Sequence, residues 1–559
     1  MRSASMRMET TGRKIARSLV AHGVDTVFGI PGAHTYDLAD AFHAERNRLR
    51  FIHTRHEQGA GYMAYGYAKS SGRPGVFSVV PGPGVLNAGA AMCTAWGADT
   101  PVMCVTGNIM SHLIGLRRGQ LHELPDQLAT LRGLTKAAER IEHPSSAYST
   151  MAELFTKMTS GRQGPVAVEA PWDVFGQEGP AGEPVIGAPL SPPEVDADRL
   201  EAAARLLKGA RNPLIVVGAG ALGASAEIRA LAERLQAPVT SYRSGKGVIP
   251  GDDPLWLDSA SAFEYWKTAD LLIGVGSALR LPYMLWQWLP EGMKTIRIDI
   301  DPTEFVRLKP DIGIVADAAD GARALIAALE TGHGVGSRAE ELRGIRGRMA
   351  ERINGIQPQM DYLRAIREVL PRDGFFVEEV SQMGFAARFG LPVYAPRQYV
   401  TCGFQENLGF GYGAALGVKV ANPDRPVVSI SGDGGFMFGA QELATAAQHG
   451  IAVVAIVFDN GAYGNVRRDQ MTHYDGRLIG SDLVNPDFLR LAESFGVAAF
   501  RAKNPGALRK ALEQALSLES PSLIHVPVER GSEGDPWPVI KPTPPGAKAG
   551  KTPYGAPES

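Results

Sequence analysis

The sequence predicts an α/β protein of three doubly wound parallel-sheet domains. Short apolar runs alternate with amphipathic helical stretches along the chain, as in strands joined by helical crossovers. The 65 glycines and 39 prolines suit the many tight strand-to-helix turns such a fold needs. At 559 residues the chain exceeds what one hydrophobic core organises, so about three or four domains are expected.

In chain order, the first unit (10–178) holds a helix at 15–21, a strand at 26–29, a helix at 59–70 and strands at 76–80 and 101–107. A Pro/Gly-rich stretch without periodicity, 176–193, separates it from a second unit (194–332) with buried strands expected at 213–217, 271–275 and 295–300. A charged helical segment at 338–352 and a break at 355–359 lead into the third unit (356–530), with strands at 374–377, 426–430, 451–458 and 521–527. The tail (531–559) has no core pattern and reads as a disordered end or a lid. No short repeat is visible.

Composition narrows the partners. With 44% hydrophobic and 21% charged residues, large-scale disorder is not expected. The 57 basic and 59 acidic residues leave a net charge of -2, which offers no global attraction to nucleic acid or anionic lipid and leaves small molecules as the expected partners. Cys93, Cys104 and Cys402 form no CxxC pair and read as buried small hydrophobes in a reducing compartment. No apolar run reaches bilayer-spanning length, so the expectation is a cytoplasmic protein without a membrane partner.

Three stretches carry the chemistry. In one, an apolar strand at 427–431 runs into Gly432-Asp433-Gly434-Gly435 and a helix, and a second strand ends at Asp459-Asn460. A strand entering a glycine turn and a helix presents backbone N–H groups and a helix dipole to a phosphate. If the two strands are neighbours in a parallel sheet, the Asp433 carboxylate and the Asn460 amide oxygen emerge at one C-terminal edge, where α/β sheets bind ligands. Both are hard oxygen donors, suited to Mg2+ or Ca2+ bridged to a diphosphate and not to zinc. Each piece alone is equally a plain turn.

The second stretch runs from Phe28-Gly29-Ile30-Pro31-Gly32-Ala33-His34 to Arg55-His56-Glu57-Gln58-Gly59-Ala60. Periodicity puts Glu57 at a strand-to-helix junction, where an acid favours the helix's first turn whatever else it does. The third is Thr401-Cys402-Gly403-Phe404-Gln405-Glu406-Asn407-Leu408-Gly409, in which Leu408 alone would pass for a core leucine.

Together these stretches resemble the thiamine diphosphate-dependent enzymes, and among them acetolactate synthase-like proteins, over roughly residues 10–530. The resemblance implies a pyrimidine-binding domain (10–178), a Rossmann-like middle domain (194–332) and a pyrophosphate-binding domain (356–530). It implies thiamine diphosphate with Mg2+ (or Ca2+), the metal taken by Asp433, Asn460 and the backbone carbonyl of Ala462. Gly434 and Gly435 complete the phosphate turn. Ser381 and Gln382 match diphosphate contacts, the Glu406 backbone matches the group that meets the 4'-amino function, and Leu408 matches the prop under the bent cofactor. Glu57 takes the place of the glutamate that contacts the aminopyrimidine. Asp459 stands where an asparagine is usual, at a position that does not ligate. The resemblance also implies a 2-oxo acid or dicarbonyl substrate, lyase or carboligase chemistry, and a homodimer or homotetramer with each site at a dimer interface.

The departures are as informative. Gly218-Ala219-Gly220-Ala221-Leu222-Gly223 completes a GxGxxG and raises a nicotinamide oxidoreductase as a rival, yet 239–245 offers Arg243 and no carboxylate where the ribose contact is expected. The Phe-Asp-Asp-Arg-type segment of FAD-holding acetolactate synthases is replaced by 276–283, which speaks against FAD. Asp469 aligns with their specificity-gating tryptophan, and Val80 stands where benzoylformate decarboxylases have a histidine. His34, His56 and His122 are the histidines left for proton transfer, His34 first, then His122 with Gln120 on a loop over the site. The expected activities are decarboxylation of a 2-oxo acid with or without ligation to an acceptor carbonyl, or C–C cleavage of a 1,2-diketone or hydroxyketone. A catalytically eroded, cofactor-holding regulatory homologue is the non-enzymatic alternative, against which Glu57 speaks.

Overall fold

The structure, a computed structural model, describes residues 7–329 and 336–546. The end of the expected middle unit (330–332) and the tail from 547 lie outside the described residues. Each of the three units is built on one parallel sheet flanked by helices, as the alternating pattern predicts. The strands are apolar runs buried on both faces, such as Pro213–Val217, Leu271–Val275 and Val102–Asn108.

In the first sheet the spatial order is Arg50–His53, Thr26–Gly29, Gly75–Val79, Val102–Asn108, Val166–Pro171, Ala137–Arg140. In the third it is Tyr399–Val400, Phe375–Glu378, Val427–Gly432, Val454–Asp459, Ser522–Pro527, Ala498–Arg501. Numbered in chain order, both read 2-1-3-4-6-5, a duplication of topology that the sequence does not reveal as a repeat. The middle sheet reads 2-1-3-4-5. In every sheet the order reverses between the first and third strands, which opens a crevice at their C-terminal ends.

The helix after the second strand of the first sheet, Glu57–Ser71, packs on its counterpart in the third domain, Phe410–Ala421. Glycines let the backbones touch: a Cβ on Gly66 would lie 1.9 Å from the Ala414 carbonyl oxygen, and one on Gly417 1.9 Å from that of Met63. One hydrophobic core therefore runs continuously from the first domain into the third, through Tyr62, Tyr65, Phe410 and Tyr412.

Two expectations need correction. Part of the tail is structured: Trp537–Ile540 forms a helical turn, Val539 and Ile540 are buried in the core shared by the middle and third domains, and Gly534 exchanges hydrogen bonds with Gln357 and Gln359. Apolar residues spaced between prolines concealed this contact. Cys104 and Cys402 are buried as expected, but Cys93 is only half-buried.

Candidate active site

The crevice of the third sheet holds a cavity of about 270 Å3. Strands Phe375–Glu378 and Val427–Gly432 lie side by side, and Val454–Asp459 is next, so the turns that follow them meet at one edge. Of the residues expected at the cofactor, Ser381, Gln382, Glu406, Leu408, Asp433, Gly434, Gly435, Asn460 and Ala462 all line this cavity. Glu57 does not.

The oxygen donors sit at its floor. Asp433 is 2% exposed and accepts from Asn485 Nδ2 at 2.7 Å; burial, with the charge of Asp459, raises its pKa. Asp459, which does not line the cavity, accepts from the same Asn485 nitrogen at 2.8 Å and meets His525 Nε2 at 3.0 Å. Asn460 donates its Nδ2 to Glu533 at 2.7 Å and accepts at Oδ1 from the Ala462 N–H at 3.0 Å. One carboxylate, one amide oxygen and one carbonyl form an incomplete hard-donor set, which suits a cation that keeps phosphate and water ligands. Among the described residues no three His, Cys, Asp or Glu side chains gather as a metal cage.

The phosphate turn is closely backed. A Cβ on Gly434 would lie 2.5 Å from Tyr463 Cε1, and one on Gly435 2.5 Å from Glu379 Oε1, so a side chain at either position would push these neighbours aside. Ser381 caps the helix Gln382–Gly390 by accepting from the Gly384 N–H at 3.0 Å, which aims that helix's first turn at the cavity. Gln382 is 5% exposed, and neither its amide oxygen nor its nitrogen has a partner among the described residues. A buried, unsatisfied amide costs roughly 1–3 kcal/mol per group, a cost that a polar ligand in the cavity removes. The residues present thus fit a metal-bridged diphosphate.

Leu408 reaches the cavity beside Gly409, whose φ of 79° belongs to the left-handed region and whose N–H donates to Glu379 at 2.5 Å. Glu379 is fully buried, and burial pushes its pKa up to about 7. The Glu406 side chain turns away to Arg388 at 2.8 Å and Arg243 at 2.6 Å. Burial alone would raise its pKa, but the two guanidinium groups outweigh burial and hold it at about 2. Its backbone, at φ 53°, is left beside the cavity.

A second group of candidates gathers at the crevice of the first sheet. His34 and His122 approach with ring centroids 5.3 Å apart, and the Trp172 ring meets His34 edge-on at 4.8 Å. His34 is 4% exposed; burial, and then the nearby His122, lowers its pKa, against a backbone hydrogen bond at Leu121 that raises it. The Leu121 backbone is within reach of the His34 ring, and Nδ1 of His122 is buried without a partner among the described residues. Gln120 is exposed on the same loop. Glu57 opens the helix Glu57–Ser71 and accepts from Asn87 Nδ2 at 3.0 Å. None of His34, Gln120, His122 and Glu57 lines the cavity of the third sheet.

Sequence reasoning missed Glu379, Asn485, His525 and Glu533. Glu379 had a local signal, a second acid directly after the buried strand Phe375–Glu378. The other three reach the site from distant segments and carry no pattern of their own.

Comparison with known proteins matches the description "Thiamine pyrophosphate enzyme" three times: the N-terminal TPP binding domain over residues 9–130, the central domain over 200–325 and the C-terminal TPP binding domain over 379–526. Similar curated proteins include a probable 2-ketoarginine decarboxylase of Pseudomonas aeruginosa, 32% identical over 92% of this chain and 94% of that protein. A probable acetolactate synthase large subunit of Methanocaldococcus jannaschii is 33% identical over 96% of this chain and 93% of its own. The acetolactate synthase isozyme 1 large subunit of Escherichia coli is 30% identical over 98% of each.

Proposed function

This chain belongs to the thiamine pyrophosphate-dependent, acetolactate synthase-like enzymes, and on that premise we propose that it breaks or makes the C–C bond beside the carbonyl of a 2-oxo acid. The observation that carries this reading is the single cavity at the third sheet's crevice that gathers Asp433, Asn460, Ala462, the Gly434–Gly435 turn, Gln382 and Leu408. Thiamine diphosphate, when bound, supplies a nucleophilic carbon and an electron sink for the pair released as the adjacent bond breaks.

The chain's own residues do the rest. Asp433, the Asn460 amide oxygen and the Ala462 carbonyl would hold Mg2+ (or Ca2+) against the diphosphate, with Gln382 and the Gly434 and Gly435 amides beside it. Leu408 lines the cavity beside the Gly409–Glu379 hydrogen bond and would supply an apolar contact to the cofactor. Glu57 does not line this cavity in its own chain, and in a homodimer, or a homotetramer built of such dimers, Glu57 of the partner subunit would complete the site. The partner's His34 and the partner's His122 would then face the reacting carbonyl, with the partner's Gln120 on the loop at the mouth. An imidazole whose pKa burial holds below its ordinary value is suited to taking up and returning one proton.

Decarboxylation, with or without ligation to a second carbonyl, is the leading reading, and the names of both kinds of relative support it. C–C cleavage of a 1,2-diketone or hydroxyketone is the second, favoured by the histidine pair, which could move protons to and from a bound water. One experiment separates them: product analysis of the Mg2+ and thiamine diphosphate-loaded protein with pyruvate, 2-ketoarginine, benzoylformate and cyclohexane-1,2-dione. Carbon dioxide release supports the first reading, and ring-opened acid from the dione without carbon dioxide supports the second. A protein that binds the cofactor and turns over none of the four argues for the regulatory homologue.

A further inference from the structure

We infer that Gln127 is a positioning residue that holds His34 and His122 in register by bonding to both loops that brace them. The inference rests on the reading that these histidines serve the reaction. His34 and His122 have φ of 71° and 64°, a left-handed backbone that costs a side-chain-bearing residue energy. Two glycines make room for it. Gly107 packs under the His34 carbonyl, where a Cβ would come within 2.5 Å of the oxygen, and Gly82 packs under that of His122, at 2.4 Å.

A single amide bonds to both glycines. Gln127, 2% exposed at the start of the helix Gln127–Leu134, accepts from the Gly82 N–H at 2.8 Å and donates to the Gly107 carbonyl at 2.8 Å. Its Nε2 also donates to Glu169 at 2.7 Å. Glu169 is fully buried, accepts further from Asn108 at 3.1 Å and from Arg140 at 2.6 Å, and lies on the strand that leads directly into Trp172, the ring against His34. Oxygen and nitrogen of the Gln127 amide are therefore both engaged, and an apolar residue of equal length would leave Gly82, Gly107 and Glu169 each short of a bond.

The test uses the cofactor-loaded protein and whichever compound of the four-substrate panel it turns over. Gln127→Met is expected to lower kcat at least 10-fold with KM changed less than threefold, and to shift the His34 and His122 13Cε1 resonances, assigned from the His34→Ala and His122→Ala variants. In the His34→Ala, His122→Ala background the same substitution should change kcat less than twofold. An equal loss in both backgrounds, unmoved histidine resonances, or unchanged kcat in Gln127→Met would overturn the inference. If the double histidine variant retains full activity, the histidine reading fails first, and Gln127 has no catalytic group to position. Should Gln127→Met not fold, Gln127→Glu, which keeps length and acceptor but loses both donated bonds, takes its place with the same criteria.

Discussion

The Asn460 side-chain nitrogen donates to Glu533 at 2.7 Å, across 73 residues of chain. That bond orients the amide of an expected metal ligand from a segment beyond the last strand of its sheet. Orienting partners of this kind are commonly worth 10–100-fold in metal affinity. Glu533→Ala is expected to raise the Mg2+ concentration needed for half-maximal thiamine diphosphate binding by about 10-fold or more. Calorimetric titration at fixed Mg2+ levels reads the effect; a variant with wild-type Mg2+ dependence would remove Glu533 from the site.

Glu379 should make stability depend on pH. Its folded pKa, about 7, lies above the unfolded value near 4.5, so the protonated acid is the form the fold accommodates. Its contribution is fully present below about pH 4.5 and is lost as pH rises toward 7. Glu379→Gln should therefore gain on the wild type between pH 5 and 8, by on the order of 2–3 kcal/mol at the upper end. Urea unfolding at both pH values measures the difference. A difference independent of pH means that Glu379 does not titrate in this window.

Gly66 tests the docking of the first domain on the third. Alanine gains up to about 1 kcal/mol in helix propensity. Its Cβ would lie 1.9 Å from the Ala414 carbonyl oxygen, a backbone atom that cannot rotate aside. Separating two packed helices outweighs the propensity term, so a net loss of about 2 kcal/mol or more is expected. Thermal unfolding that shows Gly66→Ala as stable as the wild type would mean that the two helices slide apart without cost.

Subunits inactivated separately should rescue each other. Glu57 does not line the cavity that holds Asp433 in its own chain, so mixing Glu57→Gln with Asp433→Ala protein should regenerate about a quarter of the wild-type sites after random dimer exchange, an expectation of symmetric dimers. No recovery, with exchange verified by mass spectrometry, would place each complete site within one chain.

Much of the fold is legible because buried parallel strands are written as apolar runs closed by glycine turns, as at Pro213–Val217 and Val427–Gly432. Asp433 and Asn460 are legible for the same reason: each stands just past such a run, and neighbouring strands deliver them to one edge. The matching strand order of the first and third domains is not legible, because packing conserves topology without repeating residues. Nor are Gln127, Glu169, Asn485 and Glu533, whose meaning lies in partners tens of residues away. A polar residue in a local window announces neither its burial nor its bond.

Binding of thiamine diphosphate to the metal-free and metal-loaded protein tests the central claim most directly. The wild type should bind saturably with Mg2+ and rise in Tm, because a ligand of the folded state stabilises it by RT ln(1 + [L]/Kd). Asp433→Ala should lose both the heat of binding and the Tm rise while keeping its fold. Wild-type affinity in Asp433→Ala, or equal binding with and without Mg2+, would contradict a metal-bridged cofactor in this cavity.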